Sequence, residues 1–213
     1  MNTQNSMEEF NSSSTTKRFK ALMVGRPNAG KTSVYNSLTG HRLKTGNYHG
    51  VTVEHAEGIM SLEAGELALI DLPGTPSLIP HSPDEGLTSS ATLNASLGAY
   101  DVLVTIVDAT RLIEGLYLSL QVLELGWPTL VVINQIDLAE QAGVQIDLKA
   151  LHQSLQSQSS SSGVSQLISV LAVSALTGQG IDELRTELET LCLASQNKQQ
   201  SHCLLYTSPS PRD

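Results

Sequence analysis

Cysteine is nearly absent: the chain has two, Cys192 and Cys203, in its carboxyl-terminal part. Thiols so placed make neither a disulfide framework nor a metal pattern, and they point to a reducing compartment. Surplus positive charge is absent too. Twelve Lys and Arg stand against 21 Asp and Glu, a formal net charge of −9, which argues against the broad basic footprint that binding to nucleic acid needs. Long apolar runs are missing as well. The longest, Val102–Val107 and Leu130–Ile133, are strand-sized and far short of the ~20 residues that cross a bilayer, so no direct membrane insertion is expected. Met1–Thr16 is polar and lacks the apolar stretch of a secretory signal. The expectation is a cytoplasmic protein.

What is present suits one well-packed core: 213 residues, 40% of them hydrophobic. Phe19–Val24, Val51–Leu62, Leu67–Leu72, Asp101–Val107, Pro128–Asn134 and Leu167–Val173 read as strands, the second and third joined by a hairpin at Glu63–Glu66. Lys31–Leu38, Glu114–Leu125 and Ile181–Leu193 read as helices, the second on the spacing of Leu116, Leu120 and Leu123. His41–Gly50 reads as a loop. Strands alternating with helices predict an α/β fold of three layers, a mostly parallel sheet with helices on both faces. Residues 1–18 read as a disordered polar leader and 19–194 as the domain. Within it, the Ser/Gln-rich stretch 153–166 reads as a flexible inserted loop. Residues 195–213, ending Ser-Pro-Ser-Pro-Arg-Asp, read as a disordered tail of artificial or truncated character.

Gly25-Arg26-Pro27-Asn28-Ala29-Gly30-Lys31-Thr32 matches G-x-x-x-x-G-K-[ST] between a strand and a helix, the context the motif requires. Glycines let backbone N–H groups face a phosphate at the positive end of a helix. Lys31 can reach the β- and γ-phosphates, and the Thr32 hydroxyl can ligate Mg²⁺. Asp71-Leu72-Pro73-Gly74 ends a strand, putting a second Mg²⁺ ligand (Asp71) and the Gly74 amide near the γ-phosphate. Thr52 lies between these motifs, where a switch threonine can ligate Mg²⁺ in the GTP state alone. Asn134-Gln135-Ile136-Asp137 follows another strand, and a carboxylate at Asp137 can accept from guanine N1–H and N2, a donor pair adenine lacks. Ser174-Ala175-Leu176 follows the last strand, where the Ala175 amide can donate to guanine O6. Every piece falls at a strand end, the crevice where open α/β sheets bind ligands. The ordered set predicts a Ras-like P-loop GTPase that takes GTP and GDP and hydrolyses GTP.

Several stretches go beyond a generic GTPase. The P-loop continues through Ser33 into Tyr35-Asn36-Ser37-Leu38-Thr39-Gly40, and Gly46–Glu54 reads Gly-Asn-Tyr-His-Gly50-Val51-Thr52-Val-Glu. Asp71–Thr75, Ser82–Glu85, Val107–Thr110, Leu116–Leu118 and Gln121–Gly126 add to them. On these residues, from about Phe19 to Leu193, the chain resembles the G domain of FeoB-type ferrous-iron transport proteins. That resemblance implies a slow GTPase gating a membrane permease for Fe²⁺ at the cytoplasmic face of the inner membrane. It also implies stimulation by K⁺, with Asn28 helping to hold the ion.

Thr75 stands where Ras-like enzymes place a water-orienting glutamine, and it is too short for that task from the same backbone position. A monovalent cation at Asn28 would supply charge where it develops between the β- and γ-phosphates. Arg26 reads as a solvated loop residue, His41, His49 and His55 as surface loop residues rather than an iron site, and Trp127 as packing. Gln135 replaces the lysine that many GTPases pack on the base. Two alternatives stand: a ribosome-assembly GTPase of the Era or EngA kind, against which the acidic charge argues, and a nucleotide-binding interaction module without turnover.

Overall fold

The computed structural model describes residues 17–40, 43–47, 54–78, 100–160 and 166–205. Residues 1–16 of the leader, the switch residues Gly50, Val51 and Thr52, the stretch Ser82–Glu85, His41, His49 and residues 206–213 lie outside the described residues, whereas Lys17 and Arg18, read as the end of the leader, already belong to the first strand.

Alternation of apolar side chains decides the architecture. β1 (Lys17–Gly25) is buried on both faces from Ala21 onward: Phe19, Ala21 and Met23 pack into one cluster, Leu22 and Val24 into another. A strand buried on both sides belongs at the centre of a sheet, and β1 lies between β4 (Gly65–Asp71) and β5 (Val102–Asp108), parallel to both. The seven strands run β2-β3-β4-β1-β5-β6-β7, where β2 is Leu43–Asn47, β3 Glu54–Leu62, β6 Thr129–Asn134 and β7 Ile168–Ala172. β2, β3 and β4 pair antiparallel; the rest of the sheet is parallel.

Helices α1 (Lys31–Thr39) and α5 (Ile181–Leu205) cover one face through Val34, Tyr35, Leu38, Leu184, Leu188 and Leu191. Helices α2 (Leu112–Leu123), α3 (Ile136–Gln141) and α4 (Leu148–Ser160) cover the other, with Val122 in one cluster and Leu123, Ala139 and Leu155 in its neighbour. The three layers and the mostly parallel sheet are those read from the sequence.

Three segments differ. His41–Gly50 is not all loop, because Leu43–Asn47 adds the edge strand β2 beside β3. The Ser/Gln-rich stretch is helical as far as Ser160. Asp147 Oδ1 caps α4 by accepting from Lys149 N and Ala150 N, both at 3.0 Å. Leu148, Leu151 and Leu155 then recur at helical spacing against the core, and Ser154 and Ser157 bond back to carbonyls one turn earlier at 2.8 Å. The apolar stripe and the cap outweigh the polar composition. At the other end, α5 does not stop at Leu193 but continues to Leu205, since no Gly or Pro interrupts Ile181–Leu205; Ser195 is still buried. In α2 the repeat used to find the helix is only partly the buried one: Leu123 faces the core, while Leu120 shares the outer face with Ile113 and Tyr117.

Candidate nucleotide site

The carboxyl ends of β1, β4, β6 and β7 lead into four loops that meet at one edge of the sheet. The first is the P-loop. Gly30 takes φ +78°, and a Cβ there would stand well inside contact of Asn134 Nδ2, so both the backbone and the space call for glycine. Asn28 is also left-handed, φ 67°, a conformation that asparagine tolerates better than most residues. Lys31, 8% exposed, forms an ion pair with Asp71 at the end of β4 and donates to Leu72 O. A cation thus already lies against the carboxylate expected to hold Mg²⁺. Thr32 follows it, exposed on the first turn of α1.

After β4 the chain passes over the P-loop. Thr75 N donates to Gly25 O at 3.0 Å, and a Cβ on Gly74 would stand 3.1 Å from Pro27 N and Cα. The Thr75 hydroxyl, at the position where Ras-like enzymes carry the water-orienting glutamine, donates to Ser77 O at 2.7 Å and shapes the local turn. Arg26, a third of its side chain exposed, is more than a solvated loop residue. Its guanidinium pairs with Glu114 Oε2 at 3.1 Å and reaches Glu114 O at 3.3 Å, joining the P-loop to α2. Arg26, Asn28, Pro76, Asp108, Arg111 and Glu114 line a cavity of about 370 Å³ beside the loop.

At the other end the hub is Asn134, 2% exposed. Its Nδ2 donates to Ala29 O and its Oδ1 accepts from Ala175 N, both at 3.1 Å. One side chain therefore ties the P-loop, the β6 end and the β7 end together. The Ala175 amide, expected to serve guanine O6, is engaged by Asn134 here, so a base oxygen competes for that proton. Gln135, left-handed at φ 65°, extends Nε2 to Asn28 O at 3.2 Å. Asp137 follows, partly buried in the first turn of α3. Ile136 N donates to Val173 O at 3.2 Å, and Ser174, fully buried, accepts Thr177 N on its Oγ at 3.2 Å. Leu176 points outward, 86% exposed.

α1 is tied down at its far end as well: Arg185 of α5 donates to Ser37 O at 3.0 Å and Leu38 O at 2.9 Å, and Ser37 Oγ to Ala175 O at 3.3 Å. Behind the site, burial and the nearby Asp71 and Glu57 push the Tyr35 hydroxyl up to about 12, so it stays protonated. Burial likewise pushes the Cys192 thiol up to about 12, which leaves it unreactive. Among the described residues no group of three or more His, Cys, Asp and Glu stands ready for a metal. Trp127 packs beside the cluster of Leu22, Ile70 and Leu103, as read from the sequence.

Of the residues read from the sequence, the structure brings Lys31 to Asp71 and brings Asn134 and Gln135 to the P-loop at Ala29 and Asn28, while Asp137 makes none of these ties. Sequence reasoning missed Glu114, Gln135 as a tie to the P-loop, and the Arg185 clamp. The spacing of Arg26 and Glu114 carries no signal, because the contact is set by how α2 crosses the P-loop.

The family model for ferrous iron transport protein B matches residues 19–188. The Fe(2+) transporter FeoB of Escherichia coli (strain K12) is 43% identical over 136 residues, which are 63% of this chain and 18% of that protein. Its counterpart in Salmonella typhimurium (strain LT2) matches to the same extent. The chain thus spans less than a fifth of the length of these relatives. The cytosolic domain of the T. maritima FeoB iron transporter, in a GDP form, is 33% identical with a TM-score of 0.70, over 85% of this chain and 64% of that one. The T. maritima G domain by itself is 32% identical with a TM-score of 0.66, over 84% of this chain and 99% of that one.

Proposed function

The chain belongs to the ferrous iron transport protein B family, and from that premise we propose that it is the family's guanine-nucleotide switch. It binds GTP and GDP, hydrolyses GTP with Mg²⁺, and in a longer protein governs a membrane permease that carries Fe²⁺ from its place at the cytoplasmic face. The observation that supports this most is the Asn134 hub, which joins the phosphate loop at Ala29 to the base loop at Ala175. A site that reads phosphate and base as one object needs such a tie. The ribosome-assembly alternative draws no support from the matched family.

Backbone N–H groups at the start of α1 receive the phosphates. Lys31 leaves Asp71 for a phosphate oxygen, exchanging one anion for another, so it stays paired throughout. Thr32 Oγ and the Asp71 carboxylate so released are hard oxygen donors at adjoining ends of α1 and β4, the ligand chemistry Mg²⁺ takes; Thr52 is the expected third ligand. The ion supplies neutralisation of phosphate charge. Asp137 selects guanine by accepting from N1–H and N2, and Gly74 N–H faces the γ-phosphate. Asn28 is exposed, lines the cavity beside Arg26, and carries a side-chain oxygen suited to K⁺. That ion supplies positive charge in a site where Thr75 is turned to Ser77.

Calorimetric titration with GTP, GDP and ATP, and phosphate release in matched KCl and NaCl buffers, test the reading together. Guanine nucleotides bind over ATP, and Asp137→Asn moves the preference toward xanthosine nucleotides. K⁺ speeds release by about 10²-fold over Na⁺, and Asn28→Ala removes most of that gain. Equal binding of ATP overturns the base assignment, equal rates in the two salts remove the cation, and binding without turnover leaves an interaction module.

A further inference from the structure

α2 makes two polar contacts to the phosphate half of the site, from residues two helical turns apart on one edge of the helix. Glu114 holds Arg26 of the P-loop. Gln121 holds the loop after β4: its Oε1 accepts from Ser77 Oγ at 2.9 Å and from Leu78 N at 2.7 Å. Gln121 is 8% exposed. A backbone N–H can only donate, so the bond from Leu78 fixes which end of the amide faces the loop. The other end, Nε2, is buried with no protein partner among the described residues. An apolar side chain would fill this place beside Val122 without burying the unpaired Nε2, but it would take the acceptor from Leu78 N, so what glutamine adds is an acceptor.

The segment Asp71–Leu78 is therefore anchored at both ends. Asp71 lies in register beside Met23 of β1 and Leu72 N donates to Met23 O at 3.3 Å, a hold that outlasts the departure of Lys31 from Asp71, and Gln121 holds Ser77 and Leu78. Between the anchors lie Pro73, Gly74, Thr75 and Pro76, two of them with fixed φ, and the Thr75 hydroxyl reaches Ser77 O. With its ends held and its prolines stiff, this short span has little freedom except at Gly74. Resting on the GTPase reading above, we propose that Gln121 is a positioning residue for hydrolysis: by holding Ser77 and Leu78 it sets the Gly74 amide over the P-loop, without touching the nucleotide.

The test compares Gln121→Met, close in shape but without the acceptor, with Gln121→Glu, whose carboxylate accepts both bonds. The readouts are GDP titration, steady-state phosphate release, and amide hydrogen exchange at Leu78. Gln121→Met lowers kcat by about tenfold, the size of one net hydrogen bond, while GDP affinity stays within about twofold. Exchange at Leu78 rises by a similar factor. Gln121→Glu restores both. Unchanged kcat in the Met variant, a GDP affinity that falls in proportion to kcat, or a Glu variant no better than Met overturns the proposal. A wild-type chain that binds no guanine nucleotide refutes the GTPase reading instead, and Leu78 exchange then decides the anchor by itself: exchange equal in wild type and Gln121→Met overturns it.

Discussion

At the phosphate end of the site Lys31 lies on Asp71 and Arg26 on Glu114, whereas at the base end Asn134 and Gln135 hold their partners through neutral amides. The first end is held by ion pairs, the second by hydrogen bonds of uncharged groups. An ion pair can trade one anion for another, and its exposed members respond to salt. Neutral amide bonds respond to neither. The phosphate end thus changes partners by exchanging charge, whereas at the base end the ties of Asn134 to Ala29 and of Gln135 to Asn28 stay and only the Ala175 N–H has a competitor.

Predictions follow that press on this contrast. The largest effect belongs to Lys31→Ala, which lowers phosphate release by about 10²–10³-fold and leaves Asp71, with 12% of its side chain exposed, without its counter-charge; phosphate release and a thermal melt check the two consequences. Next comes Asn134→Ala. Two bonds at about 1 kcal/mol each weaken GTP and GDP alike, by about thirtyfold, and the loss is the same in dilute and concentrated KCl. A loss that shrank in high salt would break the contrast between the ends. Glu114→Gln is smaller still. Its pair with Arg26 is half exposed on the Glu114 side, so the effect on stability is at most about 1 kcal/mol, and salt diminishes it in urea unfolding. The smallest effect is a pH trend remote from the nucleotide. Burial raises the Asp101 carboxyl above its usual value despite a 2.8 Å bond from Lys20 N. A raised acid favours the folded state below its ordinary value of 3.8 and loses that contribution as pH rises through its folded value. Asp101→Asn therefore gains stability relative to the parent as pH climbs from that range to neutrality, and melts across that interval show the slope.

Much of the fold was legible because β-strands buried on both faces leave an unmistakable apolar run, as in Val102–Val107. Motif residues were legible because phosphate chemistry constrains spacing within one loop, from Gly25 to Thr32. Two kinds of feature were not. Ser and Gln in 153–160 hide a helix whose signal is three leucines and an Asp cap, so composition spoke louder than period. Contacts between distant segments, such as Arg26 with Glu114 or Asn134 with Ala175, depend on how elements cross, and no spacing within one segment records that. Thr75 illustrates the same limit at short range: its identity was plain, but its engagement with Ser77 is decided by the turn.

The clamp of Arg185 on the last carbonyls of α1 has a mechanical meaning. α1 begins at the lysine of the P-loop and ends in the grip of α5, so its far carbonyls move only as α5 moves. α5 in turn is pinned to the core through Leu188, Leu191 and Cys192 as far as the buried Ser195. The two helices act as a strut and its footing: a push along α1 from Lys31 is met by the buried length of Ile181–Ser195, about 21 Å of helix at the usual rise.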